Sequence, residues 1–363
     1  MACDLSGYEQ GLSFWVGTSR RSPQGSNRCG YSSMLCPHDV DRWVALGGAS
    51  MGTQRSALPN ETNRLFLTDG GTETWLIHKR GLELPYFSSF HLLNDARATE
   101  EIRSYYRSFA DIAVEHGTAF IFDSLTYRAS TDWGELLGYS AGALAEMNLM
   151  ALELYREVAH ESGLADSDAI ISGCIGPKGD AYEQNAALAA DGAQEYHQVQ
   201  VDTFKSGDVD IVTALSLSSS QEAIGIVRAA QAAGLQSAIS FMVEKDHCLQ
   251  SGESLQTAIE TVDRATGAAA AYFMVNCAHP IDFGPALTDG KWVSRVHGIR
   301  ANSSKQEHSL LNTLGHLDEG NPEELAGEYA SLKSRYPDMN VFGGCCGTDF
   351  THVRQISSAL QST

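Results

Sequence analysis

Three cysteines in two similar settings are the residues of this chain best suited to carry chemistry. Cys345 and Cys346 are adjacent within the run FGGCCGT at 342–348, and Cys277 lies about seventy residues earlier, at the end of the run VNC. Both positions follow a short apolar segment, which is typical of the end of a buried strand. The glycines at 343, 344 and 347 allow a tight backbone bend, so that adjacent cysteines can face one point. The pattern predicts three thiolates that converge on a single site.

A set of three thiolates is a ligand set that selects zinc. Soft sulfur ligands favour Zn²⁺ over ions that prefer oxygen, and three protein ligands leave the fourth tetrahedral position open, as in catalytic sites. The combined negative charge of three thiolates exceeds the positive charge of the zinc ion. The site is therefore a weak Lewis acid and activates water poorly. It suits a substrate thiol, which loses its proton on the metal and can then attack an alkyl carbon. The sequence therefore predicts zinc-dependent alkyl transfer to sulfur.

Other interpretations of the cysteines stay open at this stage. They could be buried small residues at strand ends, since free cysteine is common in protein interiors. A disulfide between Cys345 and Cys346 is a further alternative, although it would be strained. The zinc could also be structural, with His279 or Cys174 as a fourth protein ligand. A hydrolase that uses zinc-bound water is less favoured, because the sequence shows no histidine-rich ligand set.

Composition limits the partners of the protein. The 363 residues include 45 acidic and 25 basic side chains, a formal charge of −20, and 43% are apolar. A chain of this size can bury a large core, and its negative charge disfavours nucleic acid and anionic membranes. Eight cysteines are too few for a disulfide scaffold and indicate a reducing, cytoplasmic location. No segment approaches the roughly twenty apolar residues of a membrane helix.

The first sixty residues differ in character from the rest. They scatter Ser, Gly and Arg without a sustained periodic pattern, so residues 1–60 are predicted to form a poorly structured extension of a folded domain at 61–363. Acidic residues such as Asp4 and Glu9 argue against an organellar targeting peptide without excluding one. Met51, just ahead of the first strand, is an alternative translation start.

From Arg64 onward, β segments alternate with segments of helical periodicity. Strands are predicted at 65–69, 119–123, 169–174, 209–215, 237–243, 271–276, 296–300 and 340–342, and the main helices at 141–161, 187–205, 221–233 and 255–266. A further helix starts at Pro322, with Asn321 as its cap and Glu324 completing a capping box. About eight strands over roughly three hundred residues predict a (β/α)₈ TIM barrel, with an N-terminal extension. A doubly wound open sheet is the alternative, disfavoured because no Gly-x-Gly-x-x-Gly follows the first strand.

Five motifs, in this order, resemble those of the homocysteine S-methyltransferase family over about residues 65–360. They are DGG at 69–71, TYRAS at 126–130, GCIGP at 173–177, VNC at 275–277 and GGCCGT at 343–348. The resemblance implies a homocysteine-binding zinc barrel in methionine biosynthesis. Such an enzyme moves a methyl group from a cationic donor, such as S-methylmethionine, S-adenosylmethionine or a betaine, to the homocysteine thiolate.

The resemblance also implies roles for single residues. Cys277, Cys345 and Cys346 would hold Zn²⁺, and Asp69 would help to bind the amino group of the substrate. Tyr127 would close over substrate or donor, and Asn302, in a loop that partly retains the family's Pro-Asn-Ser, would contact the substrate. The plain alternatives are that Asp69 caps the following helix and that Tyr127 is a packing residue. The implied partners are a small thiol acceptor and an onium methyl donor, and a homo-oligomer is left open.

One departure from the family pattern concerns the acceptor. Family members usually carry a glutamate at the end of the fourth strand, where this chain has Leu215, so a second carboxylate for the ammonium is missing. Asp123, at the end of the second strand, is the residue expected to compensate. Losing one charged partner typically costs a few kcal/mol, so the predicted acceptor is homocysteine or a related thiol or selenol. The alternative function is a non-catalytic protein that binds zinc or a thiol metabolite on the same barrel.

Overall fold

The computed structural model describes residues 56–181, 188–306 and 316–362. The predicted extension therefore lies outside the described residues up to position 55, as does Ala187 at the start of one predicted helix. Ser56 and Leu58 already belong to the folded part: Ser56 Oγ donates to the carbonyl oxygen of Asp166 at 2.9 Å, and Leu58 is buried inside the barrel. The folded domain thus starts a few residues before the predicted boundary at 61.

Eight parallel strands close into a barrel in which each strand pairs with the next and the last pairs with the first. The strands are β1 (Phe66–Leu67), β2 (Ala119–Asp123), β3 (Ala169–Ile175), β4 (Ile211–Leu217), β5 (Gln236–Phe241), β6 (Tyr272–Asn276), β7 (Val296–Ala301) and β8 (Val341–Gly344). This confirms the predicted (β/α)₈ barrel, and the closed pairing excludes an open sheet.

Helices follow the strands and cover the outside of the barrel. Those among the described residues are α1 (Thr72–Arg80), α2 (Ala96–His116), α3 (Thr131–Leu136), α4 (Ala141–Ser162), α5 (Ala190–Ser206), α6 (Ser220–Ala233), α7 (Leu255–Thr266), α8 (Pro280–Phe283), α9 (Pro322–Arg335) and α10 (Phe350–Gln361). Within the described part of the chain, none of the helices has the length and apolarity that crossing a bilayer requires.

The start of α9 shows how the predicted signals act. Asn321 accepts hydrogen bonds from the backbone N–H groups of Glu323 and Glu324, as expected of an N-cap, and Pro322 occupies the first turn. The carboxylate of Glu324, which was predicted to complete a capping box, instead accepts a hydrogen bond from Lys305. The helix therefore begins where predicted, with the cap made by Asn321.

Two apolar layers are separated by the barrel wall. The larger layer lies between strands and helices and includes the inner face of α2, whereas a smaller cluster that includes Ile121, Ile211 and Met274 fills the barrel interior. Side chains two positions apart on a strand share a face. Two residues after each of these come Asp123, Thr213 and Asn276, which are buried and polar. The interior therefore changes from apolar to polar toward the carboxyl ends of the strands, where the predicted site residues lie.

Candidate active site

The three predicted cysteines meet at the carboxyl ends of β6 and β8. The Sγ atoms of Cys277, Cys345 and Cys346 all lie within 4.8 Å of one another, and each residue is half-buried. A tetrahedral zinc ion with Zn–S bonds of about 2.3 Å holds its sulfur ligands about 3.8 Å apart. The separation and the soft donor set therefore fit zinc, and the partial exposure leaves the site reachable from the barrel mouth.

The end of β7 holds the two cysteine segments in place. The backbone N–H of Cys277 donates to the carbonyl oxygen of Arg300 at 3.1 Å, and that of Cys345 donates to Ala301 at 2.8 Å. Ser303, just beyond the strand, donates its N–H to the carbonyl oxygen of Cys346 at 3.1 Å. These bonds fix the backbone on both sides of the sulfur cluster.

Cys277 has an unusual backbone conformation. Its φ is +57°, in the left-handed region that non-glycine residues seldom adopt. The Asn302 side chain donates to the carbonyl oxygen of Cys277 at 2.9 Å, which helps to hold this turn. Such strain is concentrated at functional sites, because the surrounding structure must maintain it. Asn302, predicted as a substrate contact, thus also supports a cysteine of the cluster.

The thiols of Cys345 and Cys346 crowd one another and Cys277. Hydrogen bonding with Cys277 is the main cause that raises the pKa of both thiols. Deprotonating three adjacent thiols is unfavourable without a cation, whereas a bound metal ion favours the thiolates. The donor set therefore matches a metal site better than a set of independent thiols.

The other residues considered for metal binding lie elsewhere. His279 caps α8, with Nδ1 accepting from the N–H of Ile281 at 3.3 Å, and burial lowers its pKa to about 4. Cys174 is a buried free cysteine. Cys345 and Cys346 are also free, so the strained disulfide is not formed. In the described ranges, the group that could hold a metal ion contains the three cysteines and neither His279 nor Cys174.

A buried arginine that the sequence analysis missed crosses the barrel mouth. Arg300 is only 4% exposed. Its guanidinium donates to Asp123 Oδ2 at 2.6 Å and to Asp69 Oδ1, and its Nε donates to the carbonyl oxygen of Gly344 at 3.2 Å. Burial alone would lower the pKa of Arg300, but Asp69 and Asp123 raise it above its ordinary value. The side chain is therefore a permanent cation.

Asp69 lies at the mouth, as predicted, but its carboxylate is bound by protein donors. Besides Arg300, Thr72 Oγ1 and the Tyr106 hydroxyl both donate to its Oδ2 at 2.8 Å. The cap of α1 is Gly71, not Asp69. The structure therefore joins Asp69 to a buried network and does not support the plain helix-capping interpretation.

Asp123 and Leu215 complete this part of the mouth. Burial is the main cause that raises the pKa of Asp123, and the charge of Arg300 opposes it. Hydrogen bonding with the side chains of Ser172 and Thr213 also lowers the pKa of this buried carboxyl group. Leu215 is half-buried and packs on the apolar cluster inside the barrel. The position at which the family glutamate was expected therefore carries an apolar side chain.

Tyr127 lies in the loop after β2 and is half-buried. Its carbonyl oxygen accepts a hydrogen bond from the N–H of Gly176, which connects two of the predicted motifs. The next residue, Arg128, pairs with Asp180 at 2.6 Å and lies 4.1 Å from the centre of the Trp133 ring. Tyr127 thus stands on a loop that aromatic and ionic contacts hold in place.

Comparison with known proteins agrees with this geometry. The family model described as homocysteine S-methyltransferase matches residues 66–360. No curated protein matches the chain.

Among solved structures, the chain is similar to the homocysteine methyltransferase MmuM from Escherichia coli. The oxidized form is 17% identical with a TM-score of 0.65, over 83% of this chain and 98% of that one. The metallated form is 14% identical with a TM-score of 0.63, over 82% of this chain and 97% of that one. These structures support the fold, while the family model covers most of the chain. The resemblance seen in the sequence is confirmed: this chain is a methyltransferase that belongs to the homocysteine S-methyltransferase family.

Proposed function

We propose that the protein is a zinc-dependent enzyme that moves a methyl group from an onium donor to the sulfur of homocysteine or a related thiol, or to a selenol. The observation that supports this most strongly is the convergence of Cys277, Cys345 and Cys346 at the barrel mouth. When bound there, zinc would lower the pKa of an acceptor thiol and keep its sulfur nucleophilic. With homocysteine as the acceptor, the product is methionine.

The residues around the cluster suit an electron-rich sulfur site. The side-chain amide of Asn276 points a donor at Cys345 Sγ from 4.0 Å, and its Oδ1 is held by Ser240 Oγ at 2.6 Å. The fixed cation of Arg300 lies close enough to interact with the charge of Cys345. Both groups offset part of the negative charge that three thiolates create.

The donor and the acceptor must both reach this mouth. We propose that Asp69, Asp123, Tyr127 and Asn302 border the acceptor pocket, and that S-methylmethionine, S-adenosylmethionine or a betaine approaches the sulfur directly. The new sulfur–carbon bond forms as the donor's onium–carbon bond breaks, so the donor leaves as a neutral group. Bringing both molecules into line at one mouth lowers the entropic part of the barrier. The cysteine content suits a reducing compartment, so we propose the cytoplasm as the location.

Metal analysis together with a methyl-transfer assay tests this function. We expect about one zinc per chain, as one three-thiolate site requires, and methionine formation from homocysteine with at least one of the three donors. Replacing Cys277, Cys345 or Cys346 with serine should remove the metal. The activity should then fall by more than the roughly 100-fold that outer-shell changes at metal sites cause.

Cys174→Ser is the matched control, because Cys174 is buried outside the cluster. This variant should keep both its zinc and its activity. Full methyl transfer by the three cluster variants would contradict the proposed function.

A further inference from the structure

At the barrel mouth, the side chain of Arg300 occupies the position where a cationic group of a substrate would bind. Arg300 lies between Asp69 and Asp123 and makes an ion pair with each of them. All three side chains are buried, with no more than 4% of each residue exposed. These three charged groups are thus already paired with one another.

Asp69 has little capacity left for a substrate ammonium. A carboxylate offers about four acceptor positions, and Arg300, Thr72 and Tyr106 occupy three of them. An ammonium at the remaining position would lie beside the guanidinium of Arg300, and like charges repel strongly in a buried setting. Asp69 is therefore poorly suited to bind the ammonium of an amino acid.

Asp123 and Leu215 do not provide a substitute. Asp123 Oδ2 is bound to Arg300, the residue is buried, and the side chains of Ser172 and Thr213 also act on its carboxylate by hydrogen bonding. Leu215 offers only apolar surface at the end of β4. Arg300 cannot readily leave, because its displacement would break two buried ion pairs and leave charges unpaired.

Glu73, in the first turn of α1, is a further carboxylate near this network. It is half-buried and accepts a hydrogen bond from Ser89 Oγ at 2.8 Å. Burial is the main cause that raises its pKa, which favours the neutral form over the anion that an ammonium needs. Glu73 is thus already engaged by a protein donor.

We infer that Arg300 determines acceptor specificity. The acceptor is then a small thiol or selenol whose carbon chain carries no ammonium group. This inference rests on the proposed function and specifies its substrate class. The reaction stays balanced: the methyl group passes from the onium donor to the acceptor sulfur, and the thiol proton is released to solvent. Compared with homocysteine, only the group at the end of the acceptor opposite the sulfur changes.

A matched pair of thiols tests the inference with the zinc-loaded full chain. Homocysteine and 4-mercaptobutanoate have the same carbon chain, thiol and carboxylate, and differ only in the α-amino group. Binding of each is measured by calorimetry without donor, and kcat/KM is measured with each of the three donors. We expect 4-mercaptobutanoate to bind at least 10-fold more tightly and, where turnover occurs, to be the better substrate by a similar factor.

The outcomes separate this inference from the proposed function. Tighter binding of 4-mercaptobutanoate without turnover from any donor would support the acceptor class and contradict the proposed reaction. Methylation with homocysteine equal or preferred would support the reaction and overturn the acceptor class. Failure of both thiols to bind would overturn both.

Two variants test the assigned residues. Arg300→Met frees Asp69 and Asp123, so the folded variant should shift the binding ratio toward homocysteine by at least 10-fold. Because this change also unpairs two buried carboxylates, Glu73→Gln provides a second measurement that leaves both ion pairs of Arg300 in place. The ratio should be unchanged in Glu73→Gln, and a selective loss of homocysteine binding there would assign the ammonium to Glu73 and overturn the inference.

Discussion

Gly347 lets the chain turn immediately after the two adjacent cysteines. Its φ is +81°, and a Cβ at this position would lie 2.0 Å from Ser303 Oγ and 2.7 Å from the carbonyl oxygen of Asp318. Ser303 in turn donates its N–H to the carbonyl oxygen of Cys346. A side chain at 347 would therefore displace the loop that holds one of the candidate metal ligands.

We predict that Gly347→Ala weakens zinc binding and lowers the free energy of unfolding. The positive φ alone costs about 1 kcal/mol for alanine, and the contact with Ser303 adds to this. Zinc retention under competition with a chelator and the denaturation midpoint are the two measurements. Gly142→Ala on the exposed face of α4 is the control, because a Cβ there meets no atom within 4 Å. Equal zinc retention in both variants would refute the role of Gly347.

Residue types explain what could be predicted at this scale. Cysteines at two strand ends, with glycines on both sides of the adjacent pair, indicate a metal site without any knowledge of the fold, and the structure brings the three together. Arg300 gave no such signal, because it is a single basic residue within β7 and its partners lie 177 and 231 positions away in sequence. Only the closed barrel brings Arg300 to Asp123 and Asp69.

At the scale of elements, the strand that closes the barrel, β1, is very short. β1 contains only Phe66 and Leu67. The side-chain amide of Asn340, just before β8, donates to the carbonyl oxygens of Pro59 and Thr62 at 2.8 Å and of Arg64 at 3.1 Å. One buried amide thus holds the segment that leads into β1 and supports the closure.

We predict that Asn340→Asp lowers the free energy of unfolding by about 1–3 kcal/mol, because the carboxylate has no N–H to donate and buried acceptors lose their partner. The matched control is Asn321→Asp. Asn321 acts only as an acceptor at the cap of α9, and aspartate caps a helix as well as asparagine does. Chemical denaturation of the two variants is the measurement, and equal stability would show that the amide of Asn340 is not needed for closure.

The positions of strands and helices along the chain were easier to predict than the contacts between them. The alternation of strands and helices placed all eight strands within a few residues, because apolar runs and helical periodicity are local properties. The register and the closure between β1 and β8 depend on partners at opposite ends of the domain, which no local pattern encodes. Side-chain ties such as those of Asn340 were missed for the same reason.

At the scale of the whole molecule, a histidine on β7 makes stability depend on pH. His297 is half-buried, its Nδ1 lies 3.2 Å from Asn340 Oδ1, and burial is the main cause that lowers its pKa. The unfolded chain, in which histidine titrates near its ordinary pKa of about 6.5, binds a proton more readily. The contribution of His297 to stability is therefore present above that pH and is lost as the pH falls below it.

We predict that the metal-free protein loses stability between about pH 7.5 and pH 5.5, and that His297→Gln reduces this loss. Denaturation midpoints at several pH values in this range are the measurement. His160→Gln, at an exposed position on α4, is the control. The same pH slope in His297→Gln and in the unaltered chain would exclude a contribution from His297.

Because the three cysteines lie at the ends of two different strands, binding of a metal ion would require that these strands are already assembled. The ligands come from the ends of β6 and β8, and both segments are hydrogen bonded to the end of β7, which lies between them. A chain in which β7 has not yet been inserted cannot present all three sulfur atoms to one ion. Zinc capture during refolding should therefore coincide with the final assembly of this part of the barrel. In a cell, completely folded molecules would carry the ion and partly folded ones would not.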